Sequence, residues 1–169
     1  MKDKTMSRAN QQNATEPAPS PDALIRLIYR SHSLLPGAGL AAQQDGLAEL
    51  LLVARANNAA LNVTGALVLY DDYFAQVLEG PEAAVTRLFD KIKADSRHDH
   101  VTLDQSQPTA TRLFGRWAMA IVAEHHEPDM PLVATTGGLS QGAPWRISAE
   151  QEQVLSRLRD LTRGYGRGS

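Results

Sequence analysis

Cysteine is absent from the 169-residue sequence, and aromatic residues make up only 5% of it. The lack of cysteine excludes disulfide bonds, a cysteine nucleophile, cysteine-ligated zinc and iron–sulfur clusters. No apolar run reaches the roughly 18 residues that a transmembrane helix needs. The first 22 residues also lack the apolar stretch of a signal peptide, so we expect a cytoplasmic protein that does not contact membranes.

An excess of charge of either sign is also missing. Lysine and arginine number 17 against 19 aspartate and glutamate residues, which gives a formal net charge of −2 at pH 7. Domains that bind nucleic acids usually carry a basic excess, so no nucleic-acid partner is expected. Hydrophobic residues make up 43% of the chain, which is typical of a globular protein. The length predicts one domain with a substantial core.

The composition changes along the chain and predicts five segments. Residues 1–22 are polar and rich in proline near their end, which predicts a disordered arm. Residues 23–124 contain regular apolar patterns and are expected to form the folded domain. Residues 125–147 are rich in proline and glycine, which predicts a linker. A helix is expected over residues 148–164, followed by a frayed tail over residues 165–169.

Apolar patterns within the folded domain predict the element order βαββαββ. The predicted strands lie at residues 24–30, 63–70, 73–78, 101–103 and 117–122. The two segments between them that have apolar residues at helical spacing are predicted helices. This order is that of a ferredoxin-like α+β fold, in which both helices cover one face of a mostly antiparallel sheet.

The C-terminal segment carries a helix-start signal and an apolar stripe. Ser148 and Gln151 match a capping box, in which serine is the N-cap and glutamine lies three residues later. The stripe consists of Val154, Leu155, Leu158 and Leu161. An apolar stripe needs an apolar partner surface. Because the two earlier helices occupy one face of the sheet, we expect this helix to pack on the other face.

The histidines do not match a metal-binding motif. His125 and His126 are adjacent, so they do not share a helix face, and no third ligand is spaced to complete a site. His98 and His100 alternate, which can place them on one side of a strand. Two histidines without a carboxylate partner make a weak site, so no metal ion is expected.

Several polar residues stand where core residues are expected. Gln76 lies in the middle of a predicted strand and shares a face with Phe74. If helices cover that face, Gln76 is a buried amide that needs hydrogen-bond partners, and a purely structural glutamine also fits this pattern. Asn58, at the end of the first helix, is typical of a C-terminal cap. Trp117 and Met119 alternate on the last predicted strand, and this pattern alone favours core residues.

Five segments that contain these residues resemble the BLUF domain, a flavin-binding module that senses blue light. They follow the family's order and approximate spacing over residues 24–123. The segments are 27–31, 54–58 with 63–67, 74–81, 95–98 and 112–119. Asn57 departs from the pattern of those members that carry histidine there, and Ala54 stands where some members have serine.

The resemblance implies that a flavin ring lies between the two helices and over the sheet. The expected flavin is FAD, with FMN and riboflavin as the other candidates, bound without a covalent link. Tyr29 and Gln76 would form the photoactive pair, because a phenol can donate an electron and a proton and an amide can exchange donor for acceptor. Asn58 would hydrogen-bond the carbonyl and N3 edge of the flavin. Arg97 and His98 would contact its pyrimidine end.

The resemblance also implies how the signal leaves the site. Trp117 and Met119 would lie beside Gln76 and relay its state to the last strand. Since the light reaction consumes nothing, the expected activity is that of a switch and not of a turnover enzyme. The remaining residues resemble no cyclase, phosphodiesterase or helix-turn-helix segment. We therefore expect the signal to reach an unidentified downstream protein or to change a homo-oligomer.

Two other functions are compatible with the same element order. One is a ferredoxin-like interaction or ligand-binding module without photochemistry, since this fold serves many functions. The other is a small acylphosphatase-like hydrolase, which would need a phosphate-binding loop after the first strand. Arg30 is near that position, but the glycine-rich backbone cradle is absent. A flavin absorption band in the purified protein would distinguish a BLUF domain from both.

Overall fold

The computed structural model describes residues 22–35, 40–122, 131–135, 138–141 and 146–164. Its strands are β1 (Leu24–Ser33), β2 (Thr64–Tyr70), β3 (Tyr73–Pro81), β4 (His98–Thr109), β5 (Ala120–Val122), β6 (Pro131–Thr135) and β7 (Gly138–Gln141). Its helices are α1 (Leu40–Ala60), α2 (Glu82–Lys93) and α3 (Ala149–Arg163). Within these residues, no helix is long and apolar enough to cross a membrane. The predicted arm, apart from Asp22, and the predicted tail fall outside the described residues.

The seven strands join in one sheet of order β4-β1-β3-β2-β5-β6-β7. β1 pairs antiparallel with β3 and β4, and β2 pairs antiparallel with β3. β5 joins the sheet parallel to β2. β2 and β3 approach so closely at Gly65 that a Cβ atom there would lie 1.9 Å from the carbonyl oxygen of Val77. The predicted ferredoxin-like α+β fold is confirmed.

Helices cover both faces of the sheet. α1 and α2 lie on one face, where Leu51 and Val85 are buried among inward-facing strand residues. α3 lies on the other face, where Leu155 and Leu158 are fully buried. Burial of such side chains contributes roughly 1.5–3 kcal/mol each to folding. The expected division, with two helices on one face and the C-terminal helix on the other, is confirmed.

Hydrogen bonds hold α3 at its start and to two neighbouring parts of the chain. The backbone N–H of Gln151 donates to Ser148 Oγ at 3.2 Å, and that of Ser148 donates to Gln151 Oε1 at 2.9 Å. The predicted capping box is therefore present. Gln151 Nε2 also donates to the carbonyl oxygen of Leu113 at 2.7 Å. Arg157 donates to both carboxylate oxygens of Asp104 on β4, at 3.0 and 2.6 Å.

The segment expected to be a linker, residues 125–147, contains two strands. β6 pairs antiparallel with β5, and β7 pairs antiparallel with β6, so both extend the sheet. The expectation rested on the proline and glycine content of the segment as a whole. Pro131–Thr135 nevertheless contains valine and threonine, which favour strands. The rest of the segment up to residue 145 lies outside the described residues.

The last two strands of the predicted domain also differ from the prediction in extent. β4 begins at His98 and runs to Thr109, where only residues 101–103 were expected. β5 begins at Ala120, so Trp117 and Met119 precede it in an irregular segment. The backbone N–H of Trp117 donates to the carbonyl oxygen of Phe114 at 3.0 Å, which closes a turn. Alternation along a strand therefore does not apply to this segment.

Candidate functional site

A cavity lies between α1 and α2, over the face of the sheet that these helices cover. About 680 Å³ of space free of atoms lies within its walls, and this figure includes space that is open to solvent. Its walls come from β1, α1, β2, β3, α2, the segment between α2 and β4, the start of β4, and the segment before β5. The site residues that the sequence analysis expected and that line this cavity are Tyr29, Asn58, Gln76, Arg97, His98 and Met119.

The sheet register brings Tyr29 and Gln76 together. They are directly opposite each other on antiparallel strands β1 and β3, so their side chains lie on the same face. The Tyr29 hydroxyl donates a hydrogen bond to Gln76 Oε1. Tyr29 is 1% exposed and Gln76 6% exposed. The ring of Tyr29 also packs against Phe89 of α2, with ring centroids 5.3 Å apart.

The other end of the Gln76 amide has a much weaker partner. Gln76 Nε2 donates to the sulfur of Met119 at 3.1 Å. A thioether sulfur is a weak hydrogen-bond acceptor. The amide is therefore held firmly at its oxygen by Tyr29 and loosely at its nitrogen, in a position where it lines the cavity.

Burial sets the protonation of the two ring side chains at the site. Burial raises the pKa of Tyr29 above its ordinary value of 10.0, and the negative charge of Asp95 raises it further. Burial also lowers the pKa of His98. At neutral pH, Tyr29 is therefore a protonated donor and His98 a neutral imidazole. The Nδ1 atom of His98 lies 3.0 Å from Ser31 Oγ, which fixes the ring beside the cavity.

Asn58 connects the end of α1 to the segment before β5. It is 2% exposed, and its Nδ2 atom donates to the carbonyl oxygen of Ala118 at 2.7 Å. The backbone carbonyl oxygen of Asn58 accepts from the backbone N–H of Val63 at 2.8 Å, so Asn58 also closes the end of the helix. Ala118 precedes Met119, which contacts Gln76. Asn58 thus holds in place the backbone that carries Met119.

Arg97 and Asp95 form an ion pair at the cavity wall. Arg97 Nε donates to Asp95 Oδ1 at 3.0 Å, and this hydrogen bonding lowers the pKa of Asp95 to about 2. Lys91 of α2 also lines the cavity. The cavity therefore has cationic side chains among its wall residues. Arg97 is a site residue that the family resemblance implies, whereas the roles of Asp95 and Lys91 emerge only from the structure.

Trp117 is the one expected site residue that the structure places elsewhere. It is partly buried and packs against the apolar cluster on the opposite face of the sheet, which includes Phe114 and Leu155. Among the described residues that line the cavity, Met119 is present and Trp117 is not. This corrects the expectation that Trp117 lies beside Gln76. The expectation followed from the family resemblance, whereas in this chain Trp117 lies before β5 and packs on the opposite face.

Sequence reasoning missed a buried carboxylate that anchors the segment before β5. Glu79 is fully buried on β3. It accepts from Arg26 Nε at 2.8 Å, from the backbone N–H of Leu113 at 3.0 Å and from that of Phe114 at 2.8 Å. Arg112 donates to the carbonyl oxygen of Glu79 at 2.8 Å. An acidic residue directly after an apolar run was the available signal, because a buried charge needs partners.

The side chains around the cavity fit a flavin. Two buried amides (Gln76 and Asn58), a protonated phenol and a neutral imidazole can match the alternating carbonyl and N–H groups along one edge of such a ring. Aliphatic residues, among them Leu51, Leu67 and Ile92, supply flat apolar contact. Small-molecule sites commonly combine a few placed polar groups with apolar walls.

Comparison with known proteins identifies relatives of the folded domain. Residues 24–120 match the sequence profile of a family described as sensors of blue light using FAD, abbreviated BLUF. The chain is 38% identical over 92 residues to the photoactivated adenylate cyclase subunit alpha-like protein FB of Euglena gracilis. That match covers 54% of this chain and 8% of the relative, so the chain spans only a small part of the relative's length.

Solved structures provide a second comparison. The structure of BlrB, a BLUF protein in its dark state, is similar with a TM-score of 0.54 and 33% identity, over 62% of this chain and 75% of BlrB. The photo-activated state of BlsA is similar with a TM-score of 0.55 and 32% identity, over 62% of this chain and 72% of BlsA. Both comparisons concern most of the solved chain, unlike the match to the cyclase subunit.

Proposed function

Because the chain belongs to the BLUF family and its residues 24–120 form a flavin-binding blue-light sensor domain, we propose that Tyr29 and Gln76 are its light-responsive pair and that its flavin is FAD. The observation that carries this proposal is the hydrogen bond from the buried Tyr29 hydroxyl to the Gln76 amide at the cavity wall. Asn58, Arg97 and His98 would hold the flavin at its polar edge.

The proposed mechanism depends on how each side chain is held. A bound flavin supplies the absorption of blue light and, when excited, a strong oxidant beside Tyr29. The phenol is protonated and already hydrogen-bonded to Gln76 Oε1. Tyr29 could therefore give an electron and a proton to the excited flavin and later take both back, which leaves no net oxidation of the chain. Rotation or tautomerisation of the Gln76 amide then exchanges its donor and acceptor with little change in volume. The weak contact of its Nε2 atom with Met119 offers little resistance to this rearrangement.

The same contacts provide a route for the signal. Loss of the hydrogen bond between Gln76 and Met119 would release the end of the segment of residues 112–119 from β3. Gln151 of α3 donates to the carbonyl oxygen of Leu113 in that segment. We therefore propose that light alters the docking of α3 on the opposite face of the sheet, with residues 148–164 as the output element. Trp117 would contribute from that face, where it packs, and not as a neighbour of Gln76.

The downstream step is proposed to be non-enzymatic in this chain. The name of the Euglena relative describes a cyclase subunit, but the match covers only 8% of it. We propose that α3 presents its light-dependent state to a downstream protein or to a second copy of this chain. Rearranged hydrogen bonds supply roughly 0.5–1.5 kcal/mol each, which is sufficient to shift a bistable contact.

Two measurements on the purified full chain test the proposed function. Denaturation should release all of the flavin into the supernatant, where chromatography distinguishes FAD from FMN and riboflavin. Blue light should then produce a red shift of the flavin absorption that reverses in the dark. A colourless protein, or one whose bound flavin shows no reversible shift, would contradict the proposal and favour a ligand-binding module without photochemistry.

A further inference from the structure

Three potential metal ligands meet outside the cavity, where β1 pairs with the start of β4. His32 Nδ1 lies 2.8 Å from Asp99 Oδ1, and His100 Nδ1 lies 2.9 Å from the same oxygen. One ligand atom from each residue lies within 4.8 Å of the others. None of the three residues takes part in the proposed light reaction.

A bulge in β4 builds this cluster. Arg30 pairs with Thr102 and His32 with Asp99, so two steps along β1 correspond to three steps along β4. Neighbouring residues of a regular strand point to opposite faces, which would separate Asp99 from His100. His100 instead has a φ of 48°, a left-handed conformation that is uncommon for a residue with a side chain. The bulge thereby brings the imidazole of His100 to the carboxylate of Asp99.

We infer that His32, Asp99 and His100 bind a divalent transition-metal ion of the Zn²⁺ class. Two imidazole nitrogens and one carboxylate oxygen are a common ligand set for such ions. Ligand atoms around tetrahedral zinc lie roughly 3.3 Å apart, given metal–ligand distances near 2.0–2.1 Å. The two distances to Asp99 therefore need to open by only about half an ångström. The side chain of His100 is 73% exposed, which leaves access for the ion and for a water ligand.

The metal would cross-link β1 and β4 next to the cavity. His98, which lines the cavity and contacts Ser31, immediately precedes Asp99. Sequence spacing could not reveal this site, because His32 lies 67 residues from Asp99 along the chain. The ligands converge only through the pairing of β1 with β4.

Titration of the full chain with Zn²⁺ alone, followed by competition with a chromophoric indicator, tests the site. The wild-type chain should bind Zn²⁺. The variants His32→Gln, Asp99→Asn and His100→Gln should each weaken binding at least about tenfold, because mutation of residues that only support metal ligands already lowers metal affinity 10–100-fold. Circular dichroism of each variant checks that the chain remains folded. The double variant His125→Gln/His126→Gln is the matched control, because that adjacent pair is the other histidine cluster of the sequence and lies outside the described residues.

The control should bind Zn²⁺ as the wild-type chain does. The inference is overturned if the wild-type chain does not bind Zn²⁺, if folded Asp99→Asn and His100→Gln variants bind with unchanged affinity, or if only the His125/His126 variant loses binding. Because the measurement does not require a flavin, its failure leaves the proposed light reaction untouched. Failure of the light reaction would equally leave the metal site standing.

Discussion

Among single residues, Gln76 has a buried amide whose two ends have hydrogen-bond partners of different strength. A buried amide normally has firm hydrogen bonds at both ends. Here the oxygen accepts from Tyr29, whereas the partner of the nitrogen among the described residues is the sulfur of Met119. A reorientation therefore gives up one ordinary hydrogen bond, worth roughly 0.5–1.5 kcal/mol, and one weaker contact. Because the free energy lost on reorientation is small, the Gln76 side chain can be fixed in the dark and still rearrange after excitation.

Two substitutions separate binding from switching at this pair. Tyr29→Phe keeps the ring and removes the hydroxyl, and Gln76→Leu keeps approximate size and removes both amide groups. Each variant should fold and bind flavin but lose the reversible red shift in a light-minus-dark absorption spectrum. Tyr70→Phe and Gln105→Leu are matched controls, because neither residue is among those that line the cavity. A normal shift in Gln76→Leu would contradict the proposed role of the amide.

The raised pKa of Tyr29 predicts how the light response depends on pH. The phenol must carry its proton in the dark, and burial holds its pKa above the ordinary value of 10.0. The amplitude of the red shift should therefore stay constant from pH 7 to pH 10. The folded chain holds this proton more tightly than the unfolded chain does, so the corresponding stability is fully present below pH 10 and is lost as the pH rises through the folded pKa.

Absorption spectroscopy against pH checks this prediction, with tyrosinate absorbance recorded in parallel. The Tyr29→Phe variant shows which part of the tyrosinate signal belongs to the buried phenol. Loss of the red shift with a midpoint clearly below pH 10, in a chain that remains folded, would show that the phenol ionises more readily than its burial allows.

At the scale of elements, the segment between β4 and β5 connects the two faces of the sheet. Glu79 anchors it through the backbone N–H groups of Leu113 and Phe114. Met119, at its end, contacts Gln76 in the cavity, while Gln151 reaches it from α3 on the other face. Its irregular conformation is what lets neighbouring residues contact opposite sides of the sheet.

Removal of the charge of Glu79 should destabilise the fold. Glu79→Gln keeps the shape of the side chain but loses the ion pair with Arg26 and one acceptor for the backbone of Leu113 or Phe114. Breaking a buried ion pair costs about 3–5 kcal/mol, so a loss of about 3 kcal/mol is expected in the free energy of unfolding by urea. Glu82→Gln, at the exposed start of α2, is the matched control and should cost at most about 1 kcal/mol. Equal effects of the two variants would contradict the anchoring role.

The contact between Gln151 and Leu113 should couple light to α3. Gln151→Glu retains the oxygen that accepts from Ser148, and so the capping box, but removes the N–H that donates to Leu113. This variant should keep the full red shift and lose any difference between light and dark in the hydrogen exchange of residues 149–163. Arg157→Gln cuts the other link of α3, to Asp104, and should keep that difference.

The two variants distinguish coupling from a merely protective role of α3. If α3 only shields the sheet, wild type and Gln151→Glu will show the same hydrogen exchange of α3 in light and dark. A light-dependent difference that persists in Gln151→Glu but disappears in Arg157→Gln would place the coupling at β4 instead.

In the whole molecule, local sequence patterns predict the order of the elements and the packing of helices on both faces of the sheet. Contacts between residues far apart in the sequence determine the other features, which local patterns do not predict. The capping box at Ser148 and the apolar stripe of α3 are local, and both occur as predicted. The position of Trp117 could not be predicted, because it depends on the turn before β5. The ion pair of Glu79 with Arg26 joins residues 53 positions apart, and no local pattern contains that pairing.

We propose that light changes the hydrogen bonding of the Gln76 amide at the flavin. This change can be measured in an infrared light-minus-dark difference spectrum of the full chain, with its flavin isotopically labelled at the C4 carbonyl. A new hydrogen bond weakens a carbonyl bond, so the C4 stretching band should move to lower frequency in light, return in the dark, and stay unchanged in Gln76→Leu. A full visible red shift in the wild-type chain without any movement of this band would show that the Gln76 amide does not change its hydrogen bond to the flavin.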